Sequence, residues 1–123
     1  MNEDVFNKIK EILKDDDRFE IYYEIIMEAI KDEMESMNNG FFVKICESGK
    51  HPGDGIYVNK SDDIYYINKV NESIKHPFKA DYKDVITILA YSYAIRTLSY
   101  IPNTSFTLVK QYTKEIENII DKY

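Results

Sequence analysis

A single cysteine, Cys46, leaves the chain no disulfide to close within itself. Tryptophan is absent, and there are only two histidines, four glycines and three prolines. With so little glycine and proline, no linker or low-complexity stretch divides the chain, and 123 residues suit a single domain over 1–123. Cysteine and histidine never fall at a metal-ligand spacing, so no metal or other cofactor is expected. Arginine is scarce as well, two against fourteen lysines. That bias, with abundant Ile, Asn, Asp and Tyr, points to an AT-rich bacterial genome and not to a mechanism. Residues 1–14 are charged and amphipathic and have no apolar segment of signal-peptide type, which makes the cytoplasm the expected compartment.

Positive charge is what the first third lacks. Residues 1–38 hold twelve acids and five bases, whereas 39–123 hold ten acids and eleven bases. The net charge of −6 is therefore a property of the N-terminal third. It argues against nucleic acid or a membrane surface as a direct partner there, and for a basic one.

What the chain does have is a long apolar run at 84–101, DVITILAYSYAIRTLSYI. Apolar residues fall on every side of it, which predicts a helix inside the fold with neighbours on most faces. Asp81 and Asp84 form a variant capping box at its start, and Pro102-Asn103 ends it. Arg96 and several hydroxyl groups argue against a membrane span.

Two amphipathic helices are predicted before it. One covers 3–14, with Val5, Phe6, Ile9, Ile12 and Leu13 on one side. The other covers about 17–37, with Phe19, Tyr22, Tyr23, Ile26, Ile30, Met34 and Met37 at three- and four-residue steps. Strands are expected at 41–47, 55–59 and 64–70 from their β-branched and aromatic content. Short connections make neighbours antiparallel, and His76-Pro77 confines 74–80 to a sheet edge. A last helix within 104–123 carries a seam of Val109, Tyr112, Ile116, Ile119 and Tyr123. The expected fold is α+β, an antiparallel sheet of three to four strands with helices packed on one face.

Catalytic patterns are weak. Cys46 and His51 are the one pair resembling a nucleophile and a base, but Cys46 alternates with Val43 and Ile45 as a small core residue would. The loop GKHPGDG at 49–55 lacks the phosphate-binding pattern and the helix that should follow it. Asp62-Asp63 fits a turn. No enzyme is expected. Two features stand out instead. Asp17, Glu20, Glu24, Glu28, Asp32 and Glu35 line the polar side of the 17–37 helix, as a solvated face or as a surface for a basic protein. Eleven tyrosines, among them Tyr57, Tyr65 and Tyr66, supply residues of the kind enriched at protein interfaces, although core positions account for most of them.

The segment IYYINKVNESIKHPFKADYKDVITILAYSYAIRTLSY has an aromatic strand, a glutamate turn, an extended stretch, an acidic helix start and a long apolar helix, followed by one more helix. Over about residues 55–120 this order resembles the immunity protein 63 family of bacterial polymorphic toxin systems. That family favours Glu-Arg-Gly at the turn where this chain has Val70-Asn71-Glu72-Ser73, so no binding residue carries over. The resemblance implies a cytoplasmic, non-enzymatic protein that neutralises a cognate toxin domain by stoichiometric binding, and the acidic helical face independently suits a basic toxin such as a nuclease. Two alternatives stand beside it: a phage-encoded acidic inhibitor of a nucleic-acid-binding defence complex, and a small structural module self-associating through the 109–123 seam.

Overall fold

The computed structural model describes residues 2–14, 17–38, 42–44, 55–59, 64–68, 78–98 and 106–123. Its elements run α1 (Asn2–Leu13), α2 (Asp17–Asn38), β1 (Phe42–Lys44), β2 (Gly55–Asn59), β3 (Ile64–Asn68), β4 (Phe78–Lys79), α3 (Tyr82–Leu98) and α4 (Phe106–Ile120).

Helix α3 is the axis of the core. Ten of its seventeen residues are buried, and they point in every direction around the helix. Such a helix requires partners on several sides, and it has them in α1, α4 and β3. Helix α1 offers Val5, Ile9 and Leu13, which share one face at four-residue steps and are all buried. Glu3 and Asp4 in its first turn and Lys10 in its last suit the helix dipole. Helix α4 offers Tyr112, Ile116 and Ile120 in the same way. The Tyr112 ring lies 5.5 Å from that of Tyr91 in α3 at a tilt of 54°, a favourable offset for two quadrupoles. Val109, Ile119 and Tyr123 flank this face half-buried, so the predicted seam is used within the chain.

The strands pair antiparallel in the order β1-β2-β3-β4, with Val43 opposite Ile56, Tyr57 opposite Tyr66, and Ile67 opposite Phe78. Alternation puts Tyr65 and Ile67 on one face of β3. Ile67 is fully buried, and the Tyr65 ring meets that of Tyr82 in the first turn of α3 at 5.9 Å with a tilt of 56°.

The expected α+β fold, a three- to four-stranded sheet layer covered by helices, is corrected here. The chain is mostly helical, with helices of 12, 22, 17 and 15 residues against strands of 3, 5, 5 and 2. Where side chains are described, the sheet is the two-stranded antiparallel β3–β4 ribbon. The physical reason is area. Three helices bring long apolar faces to the core, while β4 has two residues and β3 buries Ile67. The hydrophobic effect scales with area removed from water, so helix against helix dominates. The expected strand at 74–80 reduces to Phe78–Lys79. Cys46, His51, the 49–54 part of the loop and Asp62-Asp63 lie outside the described residues.

A polar lock joins the end of the chain to the start of α3. The Val85 amide donates to the Asp81 carbonyl at 3.0 Å, placing Asp81 at the N-cap. Sequence predicts that Asp84 reaches back to the Asp81 amide, as in a capping box. Instead the Tyr123 hydroxyl sits between them: it accepts from the Asp81 N–H at 2.9 Å and donates to Asp84 Oδ2 at 2.7 Å. Lys122 Nζ takes the other oxygen, Asp84 Oδ1, at 2.9 Å. Nearby, the Tyr82 hydroxyl donates to Asp4 Oδ2 and ties α1 to the same corner.

Candidate functional site

The candidate site lies on α2 and the groove it forms with α1. Helix α2 buries Ile30 and Met34 and half-buries Tyr23 and Met27 on the side toward α1. Glu20, Glu24, Glu28, Asp32 and Glu35 are all exposed. Asp17 is the first residue of α2; its side chain, like those of Phe19, Tyr22, Ile26 and Met37, lies outside the described ones. A four-residue step overshoots the 3.6-residue turn by about 40°, so the row Glu20-Glu24-Glu28-Asp32 slants around the helix. Ile25 stands among these acids with 70% of its surface in water. It is an apolar residue that sequence periodicity does not single out.

The slant divides the acids. Glu28, Asp32 and Glu35 border an open groove of about 540 Å³ between the two helices, whereas Glu20 and Glu24 do not. From α2 the groove also takes Tyr23, Met27 and Lys31; α1 supplies Glu3, Phe6, Asn7 and Lys10. Its volume is in the range of sites that hold a ligand or an anchoring side chain, roughly 300–1,000 Å³. The floor is apolar, made of the half-buried Phe6, Tyr23 and Met27. The charged rim has four carboxylates, Glu3, Glu28, Asp32 and Glu35, against the two ammonium groups of Lys10 and Lys31. Lys10 Nζ lies 6.0 Å from the centroid of the Tyr23 ring, near the limit of a cation–π contact.

Of the groove's lining, reasoning from sequence proposes Glu28, Asp32 and Glu35 for a binding surface and places Phe6 and Tyr23 on apolar helix faces without assigning them a site. It does not single out Glu3, Asn7, Lys10, Met27 or Lys31, because a groove between two helices is a property of the pair. One signal was available: Phe6 lies beside the Val5-Ile9-Leu13 line and not on it, so it widens the apolar face of α1 to one side.

The strongest electrostatic perturbations are at the α3 lock, away from the groove. Partial burial pushes the Asp84 carboxyl up, but the hydrogen bonds from Tyr123 and Lys122 outweigh it and hold the group below the ordinary aspartate value. The hydrogen bond to Asp4 is the main reason that the Tyr82 phenol is pushed up to about 12, with burial adding to it. Burial first, then the bond to Asp84, raises the Tyr123 phenol. These groups are occupied with one another, which suits a structural lock.

Among the described residues no group of three or more His, Cys, Asp or Glu side chains could hold a metal ion. No described helix is long and apolar enough to cross a membrane. Comparison with protein-family models, with curated proteins and with solved structures finds no match to this chain.

Proposed function

We propose that this chain is a non-catalytic binding protein of the immunity class, which neutralises a basic toxin domain by stoichiometric association in the cytoplasm. The observation that carries this reading is the exposed acidic row of α2, on a chain whose net negative charge is confined to its first third. Carboxylates four residues apart cost their own helix about 0.2–0.5 kcal/mol per pair. A basic partner turns that cost into attraction that speeds encounter and disfavours wrong partners. The resemblance of residues 55–120 to the immunity protein 63 family supplies the class; the acidic row supplies the sign of the partner's charge. The self-association alternative is weakened because Tyr112 and Ile116 of the 109–123 seam are buried inside the chain, with Val109, Ile119 and Tyr123 half-buried against the same core. The phage-inhibitor alternative shares the acidic face and differs in the partner.

The test begins with the protein encoded by the adjoining gene, coexpressed with this chain. A one-to-one complex is expected. Its association rate is then measured against ionic strength for the natural chain and for a triple variant, Glu20→Gln, Glu24→Gln and Glu28→Gln. Slowing of about tenfold at low salt is expected, shrinking at high salt as the screening length falls below about 8 Å. Equal rates with equal salt slopes would reduce the row to a solvated face.

A further inference from the structure

We infer that the groove between α1 and α2 seats one amphipathic, basic helix of the partner protein, anchored by an apolar side chain over Phe6, Tyr23 and Met27. This rests on the proposed binding function and assigns it a site and a type of ligand.

The surface alone already separates this groove from a merely acidic face. Glu20 and Glu24 are outside it, and a partner attracted only by charge would use the whole row equally. The groove adds an apolar floor and room for side chains, about 540 Å³ of it. A channel between two helices with that floor fits a third helix laid into it, with contacts recurring at i, i+3 or i+4, and i+7. Glu28 to Glu35 spans seven residues, about 10 Å along α2 at 1.5 Å per residue, which corresponds to two turns of a docked helix.

The sign of the occupant follows from the rim. Four carboxylates face two ammonium groups, so Lys or Arg flanking the apolar anchor is matched and Asp or Glu is repelled. The N-terminal third of a second copy is a poor occupant for the same reason, because those 38 residues carry twelve acids and five bases. The polar lock at the start of α3 is no rival site, since its carboxylate and hydroxyls are bonded to one another.

The experiment uses the whole chain and three synthetic peptides of about fifteen residues, long enough for marginal helicity. The first is a leucine–lysine amphipathic helix, the second an oligolysine of equal charge, and the third a leucine–glutamine helix with the same apolar pattern. Affinity is read by fluorescence anisotropy and the bound surface by amide chemical-shift mapping. The leucine–lysine peptide is expected to bind one to one, at least tenfold tighter than either control, with the largest shifts around Phe6, Tyr23 and Met27. Met27→Ser should weaken it about tenfold, while Glu115→Gln on the exposed side of α4, outside the groove, should change it less than twofold at physiological salt. If Met27→Ser fails to fold, the shift map on the natural chain decides. Oligolysine binding as tightly as the amphipathic peptide, a neutral peptide doing so, or shifts confined to the Glu20–Glu24 end would each overturn the groove.

Failure of the groove and failure of the binding function look different. A one-to-one complex with the adjoining gene's product that the leucine–lysine peptide does not displace sinks the groove alone. Peptide binding in the groove without any such complex sinks the toxin reading instead.

Discussion

Helices α2 and α3 are the longest in the chain, 22 and 17 residues, and their side chains meet water in opposite ways. In α3 apolar residues occur around the whole circumference, and α1, α4 and β3 enclose it. In α2 the described side chains divide: Ile30 and Met34 are buried on one side, while five acids and the apolar Ile25 stand in solvent. Among the described residues its main packing partner is α1. The contrast teaches that apolar circumference, more than length, sets how many partners a helix must find. A helix apolar all round needs neighbours on several sides and becomes the core, whereas one whose described acids stand on a single side can leave that side to water. Stability resides in α3, and the proposed recognition surface lies on α2.

The largest test of that division is truncation inside α3. Leu89 is fully buried, and Leu89→Ala should cost about 2–5 kcal/mol, as cavity-forming leucine substitutions do. The matching change on α2, Ile25→Ala, should stay within about 0.5 kcal/mol because the side chain is already in water. Paired urea titrations measure both. A loss below about 1 kcal/mol for Leu89→Ala would remove α3 from its central position.

Next in size is the lock that holds the ends of α3 and α4 together. Tyr123→Phe removes the hydroxyl that joins the Asp81 amide to the Asp84 carboxylate, and about 1–2 kcal/mol should be lost. The same lock should give acid sensitivity. The folded Asp84 carboxyl is held below its ordinary value, so its stabilisation is complete above that value and disappears as pH falls through the folded one. Urea midpoints between about pH 3 and 6 should therefore fall toward the acid end in the natural chain, and fall less in Asp84→Asn. Identical pH slopes would mean that the contact contributes nothing.

Alkaline titration offers a smaller effect. Tyr82, pushed up to about 12 by its bond to Asp4, stabilises the fold fully below the ordinary phenol value of 10.0, and that contribution is lost as pH rises toward about 12. Ultraviolet titration should show one phenol ionising last, and Asp4→Asn should return it toward the ordinary range. The smallest effect belongs to α2. The Glu20, Glu24 and Glu28 triple glutamine variant should match the natural chain in stability or exceed it by a few tenths of a kcal/mol, through relief of like-charge pairs. Destabilisation by more than about 1 kcal/mol would show that these acids hold the fold, and the contrast between the two helices would collapse.

The sequence by itself determined what depends on near neighbours. Helix hydrogen bonds close within four residues, so periodicity and caps locate α1, α2 and α3 to within a few positions, and Pro102-Asn103 lies just past the end of α3. The solvent-facing acids of α2 were legible for the same reason: five carboxylates at helical spacing cannot enter a core unpaired. Tertiary structure alone decided the rest. Whether strands or helices cover α3 depends on competing apolar areas across the whole chain, and α1 and α4 prevail over the sheet. Tyr123 meets Asp84 across 39 positions of sequence, and no local pattern announces that a hydroxyl from the chain's end completes the cap of α3. The groove exists only because α2 runs back along α1, bringing Glu3 and Phe6 opposite residues that sequence places seventeen or more positions away. Local preferences act through bonds a few residues long, whereas the groove, the lock and the burial of α3 are set by which surfaces lose the most contact with water when the chain closes on itself.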